Sequence, residues 1–263
     1  MPRRTRQKGG DNATPYDLVA QSATLVGDQS SKYVVFNLPA GLSIISDVSF
    51  LVYLKGDVSK GEIAMNADIW SSFARAFGGE TVLFQKYTGG TKSGAVALGT
   101  SLPGDIVMIP IGPGETYLLS SGSFLASTEN IKISGSLKLM NLLPFGSEEG
   151  VVLTSATCTN NNTGYIWVAA YGAFERHELK AESDEMIVNN GMFLACNRKE
   201  SYTLATLGKS LASTLLGEGL GMKFKGPCIV YTQSKNLNGL AAFVASVAPS
   251  RSGGAKKKRV TKK

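Results

Sequence analysis

The sequence predicts a mostly β protein in which three repeats of about 70 residues, each made of strands and one short helix, pack around a pseudo-threefold axis. Three observations predict it. Short apolar runs of strand length recur between turns rich in glycine, asparagine and serine, the pattern of sandwiches and barrels. An acid-bearing glycine turn occurs three times, with Glu80, Glu149 and Glu218 each 69 residues apart. A second turn, leading into a small apolar cluster, precedes each of these and carries Phe50, Phe124 and Phe193, which are 74 and 69 residues apart. Two markers sharing one period indicate an internal repeat.

In chain order, the strand-like runs fall at 33–36, 81–84, 106–109, 151–153, 165–168 and 229–231. Between the two markers of each copy lies a segment of helical character, at 67–77, 137–145 and 204–216. The first sets Ile69, Trp70, Phe73 and Phe77 at helical spacing. Each segment runs into a glycine, and glycine just beyond a helix commonly takes the left-handed closing conformation. Pro144 shortens or kinks the middle one. Phe50, Phe124 and Phe193 recur beside leucine and alanine, which marks them as core residues rather than base-stacking platforms. One such unit buries little apolar surface alone, so the three are expected to share a core. The predicted division is a basic tail at 1–14, a β domain at 15–248 with repeats at about 15–85, 86–153 and 154–248, and a second basic tail at 249–263.

Composition narrows the function. The chain has 263 residues, 43% hydrophobic and 18% charged, enough for a sizeable core. A single histidine, His177, leaves no multi-histidine metal site and one candidate base for a nucleophile. It lies among Glu175, Arg176 and Glu178, as a surface histidine does. Cys158, Cys196 and Cys228 form no C-x-x-C pair and signal neither a disulfide framework nor zinc. Gly208-Lys209-Ser210 lacks the leading glycine of a phosphate loop, since Thr203 stands there. Gly217-Glu218-Gly219-Leu220-Gly221 follows a predicted helix and precedes a strand, the reverse of a dinucleotide site. Ser121-Gly122-Ser123 lacks the flanking pattern of a nucleophile elbow. Glu148-Glu149 and Asp184-Glu185 sit at turns, where adjacent acids are solvated. These residues point to a protein that is not an enzyme and needs no cofactor or metal.

Charge is concentrated at the ends. Arg3, Arg4, Arg6 and Lys8, then Arg251, Lys256, Lys257, Lys258, Arg259, Lys262 and Lys263, are eleven positive residues in two acid-free arms, residues 1–10 and 249–263. Sixteen positives against twenty acids remain elsewhere, so residues 11–248 carry a net charge of −4 while the whole chain carries +7. Polar tails of this kind bury too little to offset the entropy of ordering, and are expected to be disordered in isolation. Lys256-Lys257-Lys258-Arg259 beyond Ser252-Gly253-Gly254 reads as a nuclear-import signal, a nucleic-acid arm or an attachment to an anionic membrane surface. Two basic arms favour a polyanion over a simple import signal. No apolar leader follows Met1, and the longest apolar run is interrupted by Asp47. An intracellular, soluble or peripheral protein without a transmembrane segment is therefore expected, in nucleus or cytoplasm, with a viral particle or mitochondrion as further settings.

Several motifs together resemble a known family. They are Ser101-Leu102-Pro103-Gly104-Asp105-Ile106, Gly112-Pro113-Gly114-Glu115, Ser121-Gly122-Ser123-Phe124-Leu125-Ala126, Tyr171-Gly172-Ala173-Phe174-Glu175, Val188-Asn189-Asn190-Gly191 and Leu216-Gly217-Glu218-Gly219-Leu220. Taken from about Tyr16 to Val244, the chain resembles the altered inheritance of mitochondria protein twenty-four family and its bacterial and archaeal relatives. The resemblance implies three β-sandwich-like repeats in a pseudo-threefold arrangement similar to the tryptophan RNA-binding attenuation protein. It implies structural roles for Pro103, Gly104, Asp105, Gly114, Gly122, Phe124, Gly172, Gly191, Glu218 and Gly219. Ser49-Phe50 departs from the family's usual glycine-alanine turn, and both basic tails lie outside the family domain. The expected function is a non-enzymatic scaffold that forms homo-oligomers or binds a protein partner, with basic tails for polyanion attachment. The alternative is a nucleic-acid-binding or particle-forming structural component acting through its termini.

Overall fold

A computed structural model of the protein describes residues 13–28, 31–62, 84–100, 102–120, 122–138, 152–197, 202–206, 220–236, 239–240 and 246–247. Within them the chain is mostly β. A helix, α1 (Pro15–Ser22), leads into β1 (Ala23–Asp28), β2 (Ser31–Leu38), β3 (Ser43–Asp47), β4 (Leu51–Glu62) and β5 (Phe84–Gly99). Then come β6 (Ile106–Ile111), β7 (Thr116–Ser120), β8 (Phe124–Ser127), β9 (Ile131–Lys138), β10 (Val152–Cys158) and β11 (Gly164–Ala169). The last strands are β12 (Phe174–Leu179), β13 (Glu185–Asn189), β14 (Phe193–Cys196), β15 (Tyr202–Thr206), β16 (Leu220–Lys225) and β17 (Cys228–Gln233).

Side-chain periodicity accounts for these strands. In β6, Ile106, Val107, Ile109 and Ile111 are buried while Met108 and Pro110 face out. In β2, Val34, Val35, Phe36 and Leu38 are all buried, as in a strand covered on both faces. Short Asx turns set two strand entries. The Asp47 carboxylate accepts from Ser49 N at 2.8 Å ahead of β4, and the Asn189 side-chain oxygen accepts from Gly191 N at 3.0 Å ahead of β14.

Among the described residues every strand pair is antiparallel. β2 and β3 lie along one edge of β5, and β4 lies along the other. β6 and β8 flank β11, while β7 and β9 flank β10. β12 and β14 flank β17, while β13 and β15 flank β16. Two joins connect these groups: β3 with β8, and β7 with β14. The result is an eight-stranded sheet, a six-stranded sheet and a three-stranded sheet. Buried side chains form three clusters among them, one around Phe36, Tyr87 and Trp167, one around Ile109, Leu119 and Phe124, and one around Leu153, Phe193 and Phe224. Phe36 meets Trp167 edge to face with ring centroids 4.7 Å apart, a favoured aromatic geometry.

The structure shifts several expected boundaries. The helix expected at 137–145 overlaps β9, which holds Leu137 and Lys138, and the one expected at 204–216 overlaps β15, which holds Leu204 to Thr206. The rest of both segments, and the whole of 67–77, lie outside the described residues. Divisions near residues 85 and 153 fall inside β5 and β10. They follow the glycine-acid marker, which stands before strands that return to pair with earlier strands of their own group. Phe50 also differs from its supposed counterparts. It closes a 3₁₀ turn and is half-buried, whereas Phe124 and Phe193 open strands and are buried. Four residues beyond Asp47, Ser120 and Asn189 stand Leu51, Phe124 and Phe193, so Leu51 is the residue in step.

Candidate functional site

Four chain segments meet where the motif residues Pro103, Gly104, Asp105 and Gly172 lie. Gly104 and Gly172 form a parallel bridge, with Gly172 N donating to Pro103 O at 3.1 Å and Asp105 N donating to Gly172 O at 2.9 Å. Ala170 N donates to Asp105 O, and Lys32 N, at the start of β2, donates to Gly104 O, both at 2.9 Å. On the other side, Lys235 N donates to Tyr171 O at 3.2 Å, and Ser234 N donates to Ala173 O at 2.9 Å.

The backbones touch here, which is why glycine is required. A Cβ on Gly104 would lie 1.9 Å from Ala170 O, and one on Gly172, at φ +82°, would lie 2.3 Å from Ser234 Oγ. Polar side chains bind this junction. Asp105 Oδ1 accepts from Ile106 N at 2.8 Å and from the Lys32 ammonium at 2.7 Å, in a mostly buried pair. Gln233 Oε1 accepts from Tyr171 N at 3.0 Å, and its amide donates to Gly191 O at 3.2 Å, tying Gly191 to the same region. The Lys235 ammonium stands 5.5 Å from the centre of the Tyr171 ring. Beside Lys32 opens a cleft of about 300 Å³ lined by Tyr33, Phe50, Leu51, Val52 and Gly99.

Other singled-out residues serve separate places. Gly114 and Gly122 occupy the β6–β7 and β7–β8 turns with φ near +75°, and Phe124 packs against Phe84 in the core. Glu218, Gly219 and both basic tails, with Arg3, Arg4, Arg6, Lys8, Lys256, Lys257, Lys258, Arg259, Lys262 and Lys263, lie outside the described residues. His177 Nε2 is 3.0 Å from Thr232 Oγ1 on β17 and 3.8 Å from Glu175. Cys158, Cys196 and Cys228 are buried, and Cys158 Sγ donates to Asn162 O at 3.0 Å. Among the described residues no group of three or more His, Cys, Asp or Glu is placed to hold a metal ion. Nor is any helix there long and apolar enough to cross a membrane.

The convergence of Pro103-Gly104-Asp105 with Tyr171-Gly172-Ala173 places distant motif residues in one structural junction. The model of the family described as mitochondrial biogenesis AIM24 matches residues 23–235. The chain belongs to that family. An uncharacterized protein of Streptococcus pyogenes serotype M6 is 25% identical over 159 residues, 60% of this chain and 61% of the relative. The alignment thus spans about three fifths of that relative's length. The crystal structure of a Streptococcus pyogenes protein matches with a TM-score of 0.65 at 20% identity, covering 86% of this chain and 99% of the other. That likeness is one of fold.

The AIM24 match begins at Ala23, so α1 precedes it, and the helix is held by its own contacts. Thr14 and Asp17 form a capping box: Thr14 N donates to Asp17 Oδ2 at 2.9 Å, and Asp17 N donates to Thr14 Oγ1 at 3.2 Å, with Pro15 at the first helical position. Tyr165 Oη, from β11, donates to Asp17 Oδ1 at 2.5 Å, and Asn160 Nδ2 donates to Tyr16 Oη at 3.0 Å. This clasp is not among the expected features, although Thr14-Pro15-Tyr16-Asp17 carries the capping signal. Lys32, Gln233 and Ser234 were missed as well, because their partners are distant in sequence.

Burial acts to raise the Asp17 pKa, but hydrogen bonds from Tyr165 and Thr14 outweigh it and hold the carboxyl below its ordinary value. A lowered folded value means stability that is present above the unfolded carboxyl value of ~4 and is lost as pH falls through the folded value. At the alkaline end, burial and the Asp17 contact push Tyr165 up to about 12, so its contribution is lost as pH rises from ~10 toward that value. Urea denaturation across pH should therefore show an acid-side loss that is shallower in Asp17→Asn and an alkaline loss that is shallower in Tyr165→Phe, the remainder coming from Tyr87, Tyr117 and Tyr202, which burial also raises. Unchanged slopes in both variants would remove the clasp from the pH dependence.

Proposed function

We propose that this AIM24-family protein is a non-enzymatic scaffold whose body is three copies of one strand unit around a pseudo-threefold axis, in the manner of the tryptophan RNA-binding attenuation protein. On this reading it assembles with further copies of itself or a protein partner, and its basic ends attach it to polyanions. The observation that carries the structural role is the junction at Gly104 and Gly172, where Asp105, Gln233 and Ser234 all bond to main-chain groups. Such a site joins chain segments. The threefold reading is supported by one pairing scheme running through three successive strand groups. An intracellular, peripheral location goes with this reading, and the acidic span between the tails leaves polyanion attraction to the ends.

The two acid-free arms favour a second reading, that of a nucleic-acid-binding or particle-forming component. The test compares the full chain with a full-length variant in which Arg3, Arg4, Arg6, Lys8, Lys256, Lys257, Lys258 and Arg259 are replaced by glutamine. Duplex DNA and vesicles containing phosphatidylserine are titrated across a salt series. Binding should weaken steeply with salt, by a slope of ~0.9 per phosphate neutralised on DNA, and fall at least ~10-fold in the variant. Retention of vesicles supports peripheral attachment, and retention of DNA supports the second reading. Equal binding by both chains, or by neither, rules out tail attachment.

A further inference from the structure

Two of the sheets contain six strands in the same order of types. One runs β9-β10-β7-β14-β17-β12, joined at its centre by Leu119 opposite Ala195 and Leu118 opposite Cys196. The other is found within the eight-stranded sheet as β4-β5-β3-β8-β11-β6, with Val58 to Glu62 supplying the β4 part. Its central join sets Ser46 opposite Ala126 and Ile45 opposite Ser127. A third set of the same types exists only as halves. β15-β16-β13 ends at β13, and Leu51 to Gly56 of β4, paired with β5 beside β2, ends at β4. Among the described residues β13 pairs with no strand but β16, and β4 with none but β5.

Counting from Asp47, Ser120 and Asn189 sets Ile187 and Val188 in step with Ile45 and Ser46, and with Leu118 and Leu119. Likewise Tyr53 and Leu54 are in step with Ala126 and Ser127, and with Ala195 and Cys196. Exposure follows the missing join. Leu125 and Leu194 are fully buried, while Val52 in the same place is 56% exposed; Tyr53 is 38% exposed and Ile187 is 52% exposed. Both edges thus show exposed apolar side chains, Val52 and Tyr53 on β4 and Ile187 on β13, on a side where the described residues supply no strand partner, the condition under which a strand recruits another.

We infer that this open seam is the self-assembly interface: β13 of one copy adds to β4 of a second copy, antiparallel, with Val188 opposite Tyr53 and Ile187 opposite Leu54. The inference rests on the self-assembly part of the proposed function, and takes the third join, which a closed pseudo-threefold ring would make within one chain, to be made between copies. A second copy is the fitting occupant because every chain carries both complementary edges. Two chains that exchange them close a twofold dimer with two seams. The residues differ from the internal joins in a telling way. Alanine is fully buried at both of those, whereas the open edge carries Tyr53, an aromatic with a polar tip suited to a partly wet interface.

Directly opposed strand residues are close enough for a disulfide. Full-length Leu54→Cys and Ile187→Cys chains are mixed under reducing conditions, then oxidised and run on a non-reducing gel. The native cysteines are buried, and the unsubstituted chain gives the background. A covalent band at twice the chain mass is expected in the mixture at least ~10-fold above either variant alone. Sedimentation of the unsubstituted protein should show a dimer that Ile187→Lys, placed at an exposed position, dissociates. A monomer-sized disulfide in the doubly substituted chain without the mixed dimer overturns the inference, since the seam then closes within one chain. Oligomers without the mixed crosslink also overturn it while leaving the scaffold reading intact. A monomeric protein that captures no second copy overturns the seam and self-assembly together.

Discussion

Replacing Trp167 by alanine is expected to cost about 3–5 kcal/mol of folding stability, read as a lower urea midpoint at unchanged slope. Trp167 is 1% exposed and lies on β11, which pairs with both β6 and β8 and so sits inside the eight-stranded sheet. Its ring meets Phe36 of β2 edge to face, and the cluster around it includes Val34, Tyr87, Val96 and Leu98. The residue therefore links the β2–β5 strands to the β6–β11 strands through packing, alongside the short β3–β8 ladder. Truncation leaves a void bordered by strands that cannot collapse independently, which is the condition for a large cavity cost. Leu25→Ala on β1, where the side chain is 45% exposed, should change stability by under ~0.5 kcal/mol. Similar midpoints for the two variants would show that Trp167 does not hold the strand groups together.

Local chemistry was legible in the sequence and long-range pairing was not. The runs at 33–36, 106–109, 165–168 and 229–231 lie within β2, β6, β11 and β17, because β-branched and aromatic residues between glycine turns have few alternatives to a pleated strand. The motif glycines and Asp105 were marked by residue type, and the structure supplies their reason only through contacts across 68 positions, between Gly104 and Gly172. Phenylalanine spacing misled by one residue at Phe50, since a 3₁₀ turn places Leu51, not the aromatic, at the strand entry. The clasp of α1 was locally written in Thr14-Pro15-Tyr16-Asp17 but lay at the margin of a segment read as tail. The edges of β4 and β13 that have no partner among the described residues carry no sequence signature of their own: Ile187 and Val52 look like any core residue until the strand pairing is known.

Gly104→Ala tests the motif junction itself, and a loss of about 2–4 kcal/mol is expected. The added methyl would meet Ala170 O at 1.9 Å, Gly172 N at 2.8 Å and Ala170 C at 3.0 Å, all of them backbone atoms that no rotamer change can move aside. Relief requires the 103–105 and 170–172 segments to separate. That movement breaks or lengthens three main-chain hydrogen bonds, Asp105 N to Gly172 O, Ala170 N to Asp105 O and Gly172 N to Pro103 O. Each is worth ~0.5–1.5 kcal/mol, and the donors they leave behind are hidden from water. Gly114→Ala is the matched comparison. Gly114 has φ +74° and nothing within 4 Å of an added Cβ, so that variant meets backbone strain alone, at about 1–2 kcal/mol. The junction predicts a further distinction. Lys32 N donates to Gly104 O, and the Lys32 ammonium pairs with Asp105, so separation of the segments at Gly104 also loosens the start of β2. Amide exchange at Lys32 and Asp105 should accelerate in Gly104→Ala and stay unchanged in Gly114→Ala. Equal stability losses with no local change in exchange would mean that close backbone approach is not what demands glycine at position 104.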